Sequence, residues 1–479
     1  MFFLTSWLED PNSKKWVQFV YEIEISIYAI VLSVIAIMSV ETWKTVFIKT
    51  FKNFFKFING DELIFLQSVW RHGDRNPLES FPNDPYRFES NWTEGWGELT
   101  VRGMEQHFNL GQNLSKKYSN FIGQGPYNSR QIYIRSTDVN RTVISAMSNL
   151  IGFYYGQGNV SVNFPNITQW PTGFVPIAVH TFEYENDHVG NPHAKCKRLD
   201  ELLSLVEKTP EYQNLTNDSA FKEKLATVQN LTGWSTLDFD SMWYLADTLY
   251  IEHFVYKFSN VDPNLVDMFD FINSTTDTYY DWVNGWELKP YQGVNFSVEI
   301  PTAKGGTLLW SIIGLMNEKI SCKNNPNDTS DKCNWINKLK YYAYSAHDST
   351  LAALFSTLGF KRPNYNEDGY PHYSSCITFE LWLDNNSRPY VKALYWPLNE
   401  PIEDVTSSIT GCTTNCSLDT FNNRSVPYRP GNDGNILDWC NMPLFGNESS
   451  TPQPKSGMSF RTNSILQYFL LIVLLIIRF

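Results

Sequence analysis

The sequence lacks an excess of positive charge. Its 38 Lys and Arg against 50 Asp and Glu give a formal net charge of -12, and the pI is about 5.2. Binding to a nucleic-acid backbone needs a basic surface, so we expect no nucleic acid as a partner. The sequence also shows no internal repeat, and its 42% hydrophobic and 18% charged residues are ordinary for a globular chain.

The seven cysteines lack the Cys-x-x-Cys pairs that are typical of a zinc site. Asn-x-Ser/Thr, by contrast, occurs about fifteen times along the body of the chain, which favours a surface exposed to the glycosylation machinery. Both observations indicate the secretory pathway, where disulfides form. The spacing of the cysteines leaves their connectivity open.

The first 60 residues contain an apolar run over 25–40 that has the length of a signal-peptide core or a short anchor. No clear cleavage site follows the run. The lysines after it would place the body of the chain in the cytosol by the positive-inside rule. The sequons and cysteines extend over the whole body, so we expect export.

The carboxyl end is apolar as well. A polar stretch over 448–464 precedes an apolar segment over 465–479, which suits a short anchor or a GPI-attachment signal. We therefore expect a domain over 61–447 that is attached to a membrane through an apolar terminal segment. Its catalytic part would lie outside the cell or in a lumen, at the cell surface or in the lysosome.

The domain reads as strands that run directly into helices. Buried strands are predicted over 63–70, 131–135 and 341–345, with a helix after each, and two further strands over 375–383 and 389–395. Helical patterns also fill 182–298, which indicates an inserted, smaller helical subdomain. This order predicts an α/β fold with a mixed, largely parallel central sheet flanked by helices.

Unusual polar residues follow each of the first three strands. Arg71, His72 and Arg75 follow the first strand, Arg135 ends the second, and His347 and Asp348 follow the third. Ligands of such sheets bind beyond the carboxyl ends of the strands, so we expect these side chains to meet.

The combination suits a phosphate monoester. Guanidinium forks match the phosphate oxygens, so Arg71, Arg75 and Arg135, with His347 as a further donor, would form a phosphate cradle. His72 would attack phosphorus as a neutral imidazole, and Asp348 would give the leaving group its proton. This scheme requires no metal and no other cofactor.

Each motif alone has a plainer interpretation. Arg-His-Gly-x-Arg could be a turn after a strand, His-Asp a helix cap, and the segment after Arg135 a capped helix beside a salt-bridging arginine. The order of the three motifs, each at the end of a predicted strand, favours a catalytic site.

The segment Val69 to Pro77 closely resembles the Arg-His-Gly-x-Arg-x-Pro signature of the histidine acid phosphatases, in the group with the prostatic and lysosomal enzymes. Similar segments follow in the same order at 97–107, 133–142 and 344–349, and the likeness covers about 61–442. It implies the phosphoglycerate-mutase-like fold, His72 as the nucleophile, and Asp348 as the proton donor. The arginines named above and His347 would be the phosphate ligands.

The resemblance also implies disulfides. Cys412 would pair with Cys416 and Cys196 with Cys440, whereas a bridge between Cys322 and Cys333 would be peculiar to this chain. Cys376 resembles a family disulfide position, yet no counterpart is visible for it. A homodimer stays open, since the related enzymes are often dimers.

The expected function is therefore an acid phosphatase that hydrolyses phosphate monoesters, either small molecules or phosphoproteins, through a phosphohistidine. Two alternatives remain. One is a catalytically silent surface glycoprotein with the same fold. The other is a phytase-like hydrolase of inositol phosphates, which would carry a large basic rim around its pocket.

Overall fold

The structure is a computed structural model that describes residues 60–122, 126–361, 370–431 and 434–445. The apolar run over 25–40, the polar stretch over 448–464 and the apolar segment over 465–479 lie outside these residues. Within the described ranges, no helix is both long and apolar enough to cross a membrane.

Eight strands form one sheet in the described part of the chain. Its strands are β1 (Glu62–Arg71), β2 (Ile132–Thr137), β3 (Val179–Phe182), β4 (Tyr341–Ala346), β5 (Cys376–Leu383), β6 (Pro389–Trp396), β7 (Glu403–Asp404) and β8 (Cys416–Ser417). The order is β3-β2-β4-β1-β5-β6-β7, and β8 also pairs with β6. The pairs β3–β2, β2–β4 and β4–β1 are parallel. The pairs β1–β5, β5–β6, β6–β7 and β6–β8 are antiparallel. The predicted mixed α/β fold is confirmed.

Helices cover both faces of the sheet. Two helices, α1 (Val101–Lys117) and α2 (Asn140–Phe153), pack on one face against apolar side chains such as Leu66, Trp70 and Ile134. The opposite face carries α10 (Thr307–Asn324) and α12 (Asp348–Leu358), which bury Phe65 and Val69. Strand β1 is thus buried on both sides, which explains its nearly continuous apolar sequence.

The stretch between β3 and β4 is helical. It contains α3 (Lys197–Val206), α4 (Pro210–Asn217), α5 (Ser219–Thr232), α6 (Phe239–Leu249), α7 (Pro263–Asp267), α8 (Phe269–Trp282), α9 (Phe296–Pro301), α10 and α11 (Asp331–Lys338). Two hydrophobic clusters, one around Leu202 and Phe296 and one around Leu245 and Ile272, lie among these helices. The helices α13 (Leu418–Ser425) and α14 (Ile436–Asn441) follow the sheet.

Two details of the predicted elements are wrong. Strand β3 has no predicted counterpart. Strand β2 continues through Ser136 and Thr137, which were expected to cap the next helix, and Val139 is the N-cap of α2. Arg135 therefore lies inside a strand and not at its end.

Three disulfides tie the described chain together. Cys196 is bonded to Cys440, Cys322 to Cys333, and Cys412 to Cys416. Cys376 is a buried free thiol on β5. The bond from Cys196 joins the beginning of α3 to α14 near the end of the described chain.

Candidate active site

The carboxyl ends of β1 and β4 lie side by side and carry the two polar motifs of the site. Arg71 pairs in register with Ala346, so His72 and His347 come next to each other, with ring centroids 5.6 Å apart. Parallel pairing brings together residues about 275 positions apart in the chain, as the sequence order predicted.

His72 is held on both sides by backbone hydrogen bonds. Its N–H donates to the Ala346 carbonyl at 3.0 Å, and its carbonyl accepts from the Ser374 N–H at 3.0 Å. The ring Nδ1 lies 2.8 Å from the Gly73 carbonyl, and because a carbonyl only accepts, Nδ1 carries the proton. In the neutral ring Nε2 is therefore the atom with the free lone pair.

The electrostatic surroundings keep the His72 ring neutral. Burial lowers the pKa of His72 well below its ordinary value, and the positive charges of Arg141, Arg71 and Arg75 lower that pKa further. A neutral imidazole with an unprotonated Nε2 is the nucleophilic form.

The glycine after His72 permits a close approach of α1. A Cβ at Gly73 would lie 2.3 Å from the Gly103 carbonyl oxygen, and a Cβ at Gly103 would lie 2.3 Å from the Asp74 carbonyl oxygen. No larger residue fits at either position. The loop after β1 therefore rests directly on the first turn of α1.

Arg75 is fully buried and bound to a carboxylate of the helical region. Its Nη1 and Nη2 lie 2.8 and 3.0 Å from the two carboxylate oxygens of Asp247 in α6. This bidentate pair fixes the plane of the guanidinium. The sequence analysis did not identify Asp247 as a site residue, because Arg75 and Asp247 are 172 positions apart in the chain.

Arg141 is a site residue that the sequence analysis did not assign. It lies in the first turn of α2 and lines the same cavity as His72, Arg75 and His347. Its Nε has no hydrogen-bond partner in the described part of the chain. Burial and the charge of Arg75 lower the pKa of Arg141 to about 10, so it stays charged at neutral and acidic pH. Its position in the first turn of the helix after β2 was the available signal.

The structure does not bring Arg135 to this cavity. Its guanidinium forms an ion pair with Asp187 and lies 3.8 Å from the centre of the Phe182 ring. Asp187 also accepts from the backbone N–H groups of Val189 and Gly190. Since β2 runs two residues beyond Arg135, this side chain braces the 187–190 loop, and Arg141 is the arginine that lines the cavity with Arg75.

His347 is buried and neutral. Its Nε2 lies 3.0 Å from the Thr137 hydroxyl at the end of β2. Burial and the charge of Arg141 lower the pKa of His347 to about 3. The side chain is therefore a hydrogen-bonding group and not a cation.

Arg71 and Asp348 form an ion pair beside His72. Arg71 Nη2 lies 2.9 Å from Asp348 Oδ2, and Nη1 donates to the Pro371 carbonyl at 2.6 Å. Burial alone would raise the pKa of Asp348, but the charges of Arg71 and Arg75 and the hydrogen bond from the Ser349 N–H more than offset it, and the pKa ends below the ordinary value.

Asp348 lies between two cavities of about 400 Å³ each. The first contains His72, Arg75, Arg141 and His347, and the second contains Arg71, Asp74 and Asp247. We call them the nucleophile cavity and the Arg71 cavity. Within the described ranges no group of three or more His, Cys, Asp or Glu side chains is placed to hold a metal ion.

A mixed sheet that ends in a buried histidine among arginines, next to a His-Asp pair, defines a phosphatase. The sequence matches the histidine phosphatase superfamily (branch 2) over residues 62–396. The chain belongs to that family.

Its relatives include acid phosphatases of animals. It is 34% identical over 367 residues to lysosomal acid phosphatase of Xenopus laevis, covering 76% of each chain. It is 32% identical over 371 residues to human prostatic acid phosphatase, covering 77% of this chain and 86% of that one. These relatives and the three disulfides indicate a protein of the secretory pathway or of a lumenal compartment.

Solved structures share the fold at low sequence identity. The phytase of Hafnia alvei in complex with myo-inositol hexakis sulphate superposes with a TM-score of 0.55 at 16% identity, covering 80% of this chain and 99% of that one. The phytase of Citrobacter braakii gives a TM-score of 0.55 at 15% identity, with the same coverage.

Proposed function

We propose that the protein is an acid phosphatase that hydrolyses phosphate monoesters through a covalent phosphohistidine on His72, without a metal. The observation that carries the proposal is the neutral, buried His72 ring, whose Nδ1 is tied to the Gly73 carbonyl. Its Nε2 would attack phosphorus while the bond from phosphorus to the ester oxygen breaks.

The phosphoryl group would be bound by the side chains around it. Arg75 and Arg141 line the nucleophile cavity with His347, and Arg71 borders the Arg71 cavity, which shares Asp348 with it. Fixed guanidinium groups stabilise the charge on the equatorial oxygens of the transition state. Arg141 takes the role that the sequence suggested for Arg135.

Asp348 would serve both chemical steps. As a carboxylic acid it protonates the departing alkoxide, and as a carboxylate it then takes a proton from the water that attacks phosphorus and breaks the bond to His72 Nε2. The ion pair with Arg71 favours the carboxylate in the empty site. A phosphate group that draws Arg71 to its own oxygens would weaken this pair and return a proton to Asp348, most readily at acidic pH.

The walls of the nucleophile cavity favour a substrate with a single phosphate group over an inositol polyphosphate. Seven Phe, Tyr and Trp side chains line it: Tyr184, Phe239, Trp243, Tyr244, Tyr279, Tyr280 and Tyr370. The one further basic group there in the described residues is His193, and burial lowers its pKa to about 4. Asp240 adds a negative charge. A phytase-like substrate would need several additional cations.

The test is hydrolysis by the full-length protein from a secretory host, at pH 5 with a chelator present. Rapid quenching in alkali, in which phosphohistidine survives, should trap labelled phosphate on the wild type and none on His72→Ala. His180→Ala is the matched control, because His180 is exposed on β3. A folded, disulfide-bonded wild type without turnover would favour the silent glycoprotein.

A second comparison isolates Asp348. p-Nitrophenolate can leave without being protonated, whereas an alkoxide leaving group needs a proton from a general acid. Asp348→Asn should therefore lower kcat/KM, which does not include the later hydrolysis of the phosphohistidine, by about 10²-fold to 10⁴-fold for an alkyl phosphate and far less for p-nitrophenyl phosphate. Equal losses on both esters would remove Asp348 from the acid role.

We also propose that residues 465–479 attach the protein to a membrane with the catalytic domain outside the cell or in the lumen. Release by a phospholipase specific for GPI anchors would show a lipid anchor, and release by detergent alone a peptide anchor. Light scattering of the purified protein tests whether it forms a homodimer.

A further inference from the structure

His107 lies in α1, is fully buried, and contacts the residue just before the nucleophile. Its Nε2 is 2.9 Å from the Arg71 carbonyl oxygen. The oxygen only accepts, so Nε2 carries the proton. The other ring nitrogen, Nδ1, has no hydrogen-bond partner in the described part of the chain.

Without His107, the Arg71 carbonyl would have no donor from the neighbouring strand of the sheet. Arg71 N–H donates to the Ser375 carbonyl at 3.0 Å, and a regular antiparallel pair would return a bond from Ser375 N–H to Arg71. Ser375 N–H instead donates to the His372 carbonyl at 3.1 Å. His107 supplies the missing half of the pair at the point where β1 ends.

Further contacts join α1 to the same loop. Asp74 N–H donates to the Gln106 side-chain carbonyl at 2.8 Å, and the Thr100 hydroxyl donates to Asp74 Oδ2 at 2.7 Å. Gly103 lies directly against Gly73. The first two turns of α1 thus pack against the loop that carries His72 and hold it in place.

We propose that His107 is a positioning residue for the phosphoryl transfer: its Nε2–H fixes the Arg71 carbonyl, and with it the peptide that aims the His72 ring and the Arg71 guanidinium. This inference rests on the proposed function. His107 is proposed to act without contacting the substrate.

The geometry requires the neutral ring. A protonated His107 would carry a second N–H at Nδ1 in a place without an acceptor. Burial lowers the pKa of His107 to about 4, the Arg71 carbonyl opposes that shift, and no charged side chain contributes to it within the described residues. On the side of the sheet, the neighbour of the His107 ring is the uncharged Trp70 of β1, with ring centroids 6.1 Å apart.

The test compares His107→Gln, whose amide can donate to the same carbonyl, with His107→Leu, which cannot. With p-nitrophenyl phosphate at pH 5, His107→Leu should lower kcat by about 10-fold to 100-fold with a smaller change in KM. His107→Gln should keep kcat within about 3-fold, because the donor is restored. His180→Gln on exposed β3 is the control.

The pH profile gives a second readout that does not depend on His107→Leu folding. The wild type should lose activity reversibly below about pH 4, where Nδ1 gains a proton, and His107→Gln should retain activity to lower pH. Equal kcat for the two variants, or identical acid limbs for wild type and His107→Gln, would overturn the proposal. An inactive but folded wild type would instead remove the proposed function.

Discussion

Arg71 Nη2 lies 2.9 Å from Asp348 Oδ2, so the proposed phosphate ligand beside the nucleophile and the proposed proton donor hold each other in one ion pair. In the proposed mechanism the pair would couple phosphate binding to protonation of Asp348. It would also give a physical reason for the expected acidic optimum, because the carboxylate must gain a proton before it can give one.

The first prediction concerns pH. The pKa of Asp348 lies below its ordinary value, so the acid form falls about tenfold for each pH unit above that pKa. The ratio of kcat/KM for an alkyl phosphate to kcat/KM for p-nitrophenyl phosphate should therefore fall as the pH rises from about 4 to about 7. Enzyme groups whose titration affects both substrates equally cancel in this ratio. A constant or rising ratio would contradict the role of Asp348.

The second prediction separates two arginines six positions apart. Arg141→Ala should lower kcat/KM by about 10²-fold to 10³-fold, because it removes a charged donor from the nucleophile cavity. Arg135→Ala should lower it by less than about 10-fold, since Arg135 braces the 187–190 loop through Asp187. Steady-state kinetics with p-nitrophenyl phosphate measures both. A larger loss for Arg135→Ala would restore Arg135 as a ligand.

The third prediction concerns the partner of Arg75. Asp247→Asn keeps the shape of the side chain but leaves a buried guanidinium without its carboxylate, which costs about 3–5 kcal/mol in the free energy of unfolding. Urea denaturation measures the loss, and kcat should fall with it. Asp240→Asn on the same helix is the control, since Asp240 is exposed and should change stability by less than about 0.5 kcal/mol.

The fourth prediction compares two disulfides. The bond between Cys196 and Cys440 closes a loop of 244 residues, and the bond between Cys412 and Cys416 closes one of 4. Replacing both cysteines of the long loop by serine should cost about 2–5 kcal/mol, and replacing those of the short loop less, because a long loop restricts the unfolded chain more. Thermal unfolding distinguishes the two, and equal shifts in Tm would contradict the argument.

Local sequence patterns were sufficient for the elements whose residues carry their own signal. The buried run of β1 and the strand that leads to His347 and Asp348 both lie close to their predicted positions. Each combines an apolar pattern with a turn or capping residue, and both are visible over a few neighbouring positions.

The end of β2 could not be predicted in the same way. Ser136 and Thr137 are polar yet fully buried, because Thr137 bonds to His347 and Thr142 from other elements. Those partners are fixed only by the tertiary fold, so the sequence pattern placed Arg135 at the end of β2, whereas the structure places it inside the strand. Strand β3 was missed for a related reason: its side chains are largely exposed and show no alternation.

The pairing of β1 with β4 has a consequence for synthesis. Strand β1 is complete at Arg71, whereas its parallel partner begins at Tyr341, so at ribosomal rates the first strand waits roughly 15–55 s for that partner. During this interval an apolar strand stands with an unmatched edge, the kind of segment that aggregates. Asn91 and Asn113, each in an Asn-x-Ser/Thr sequence, are synthesised within the same interval. Glycans attached there would let lectin chaperones hold the nascent chain until the nucleophile half and the proton-donor half can join.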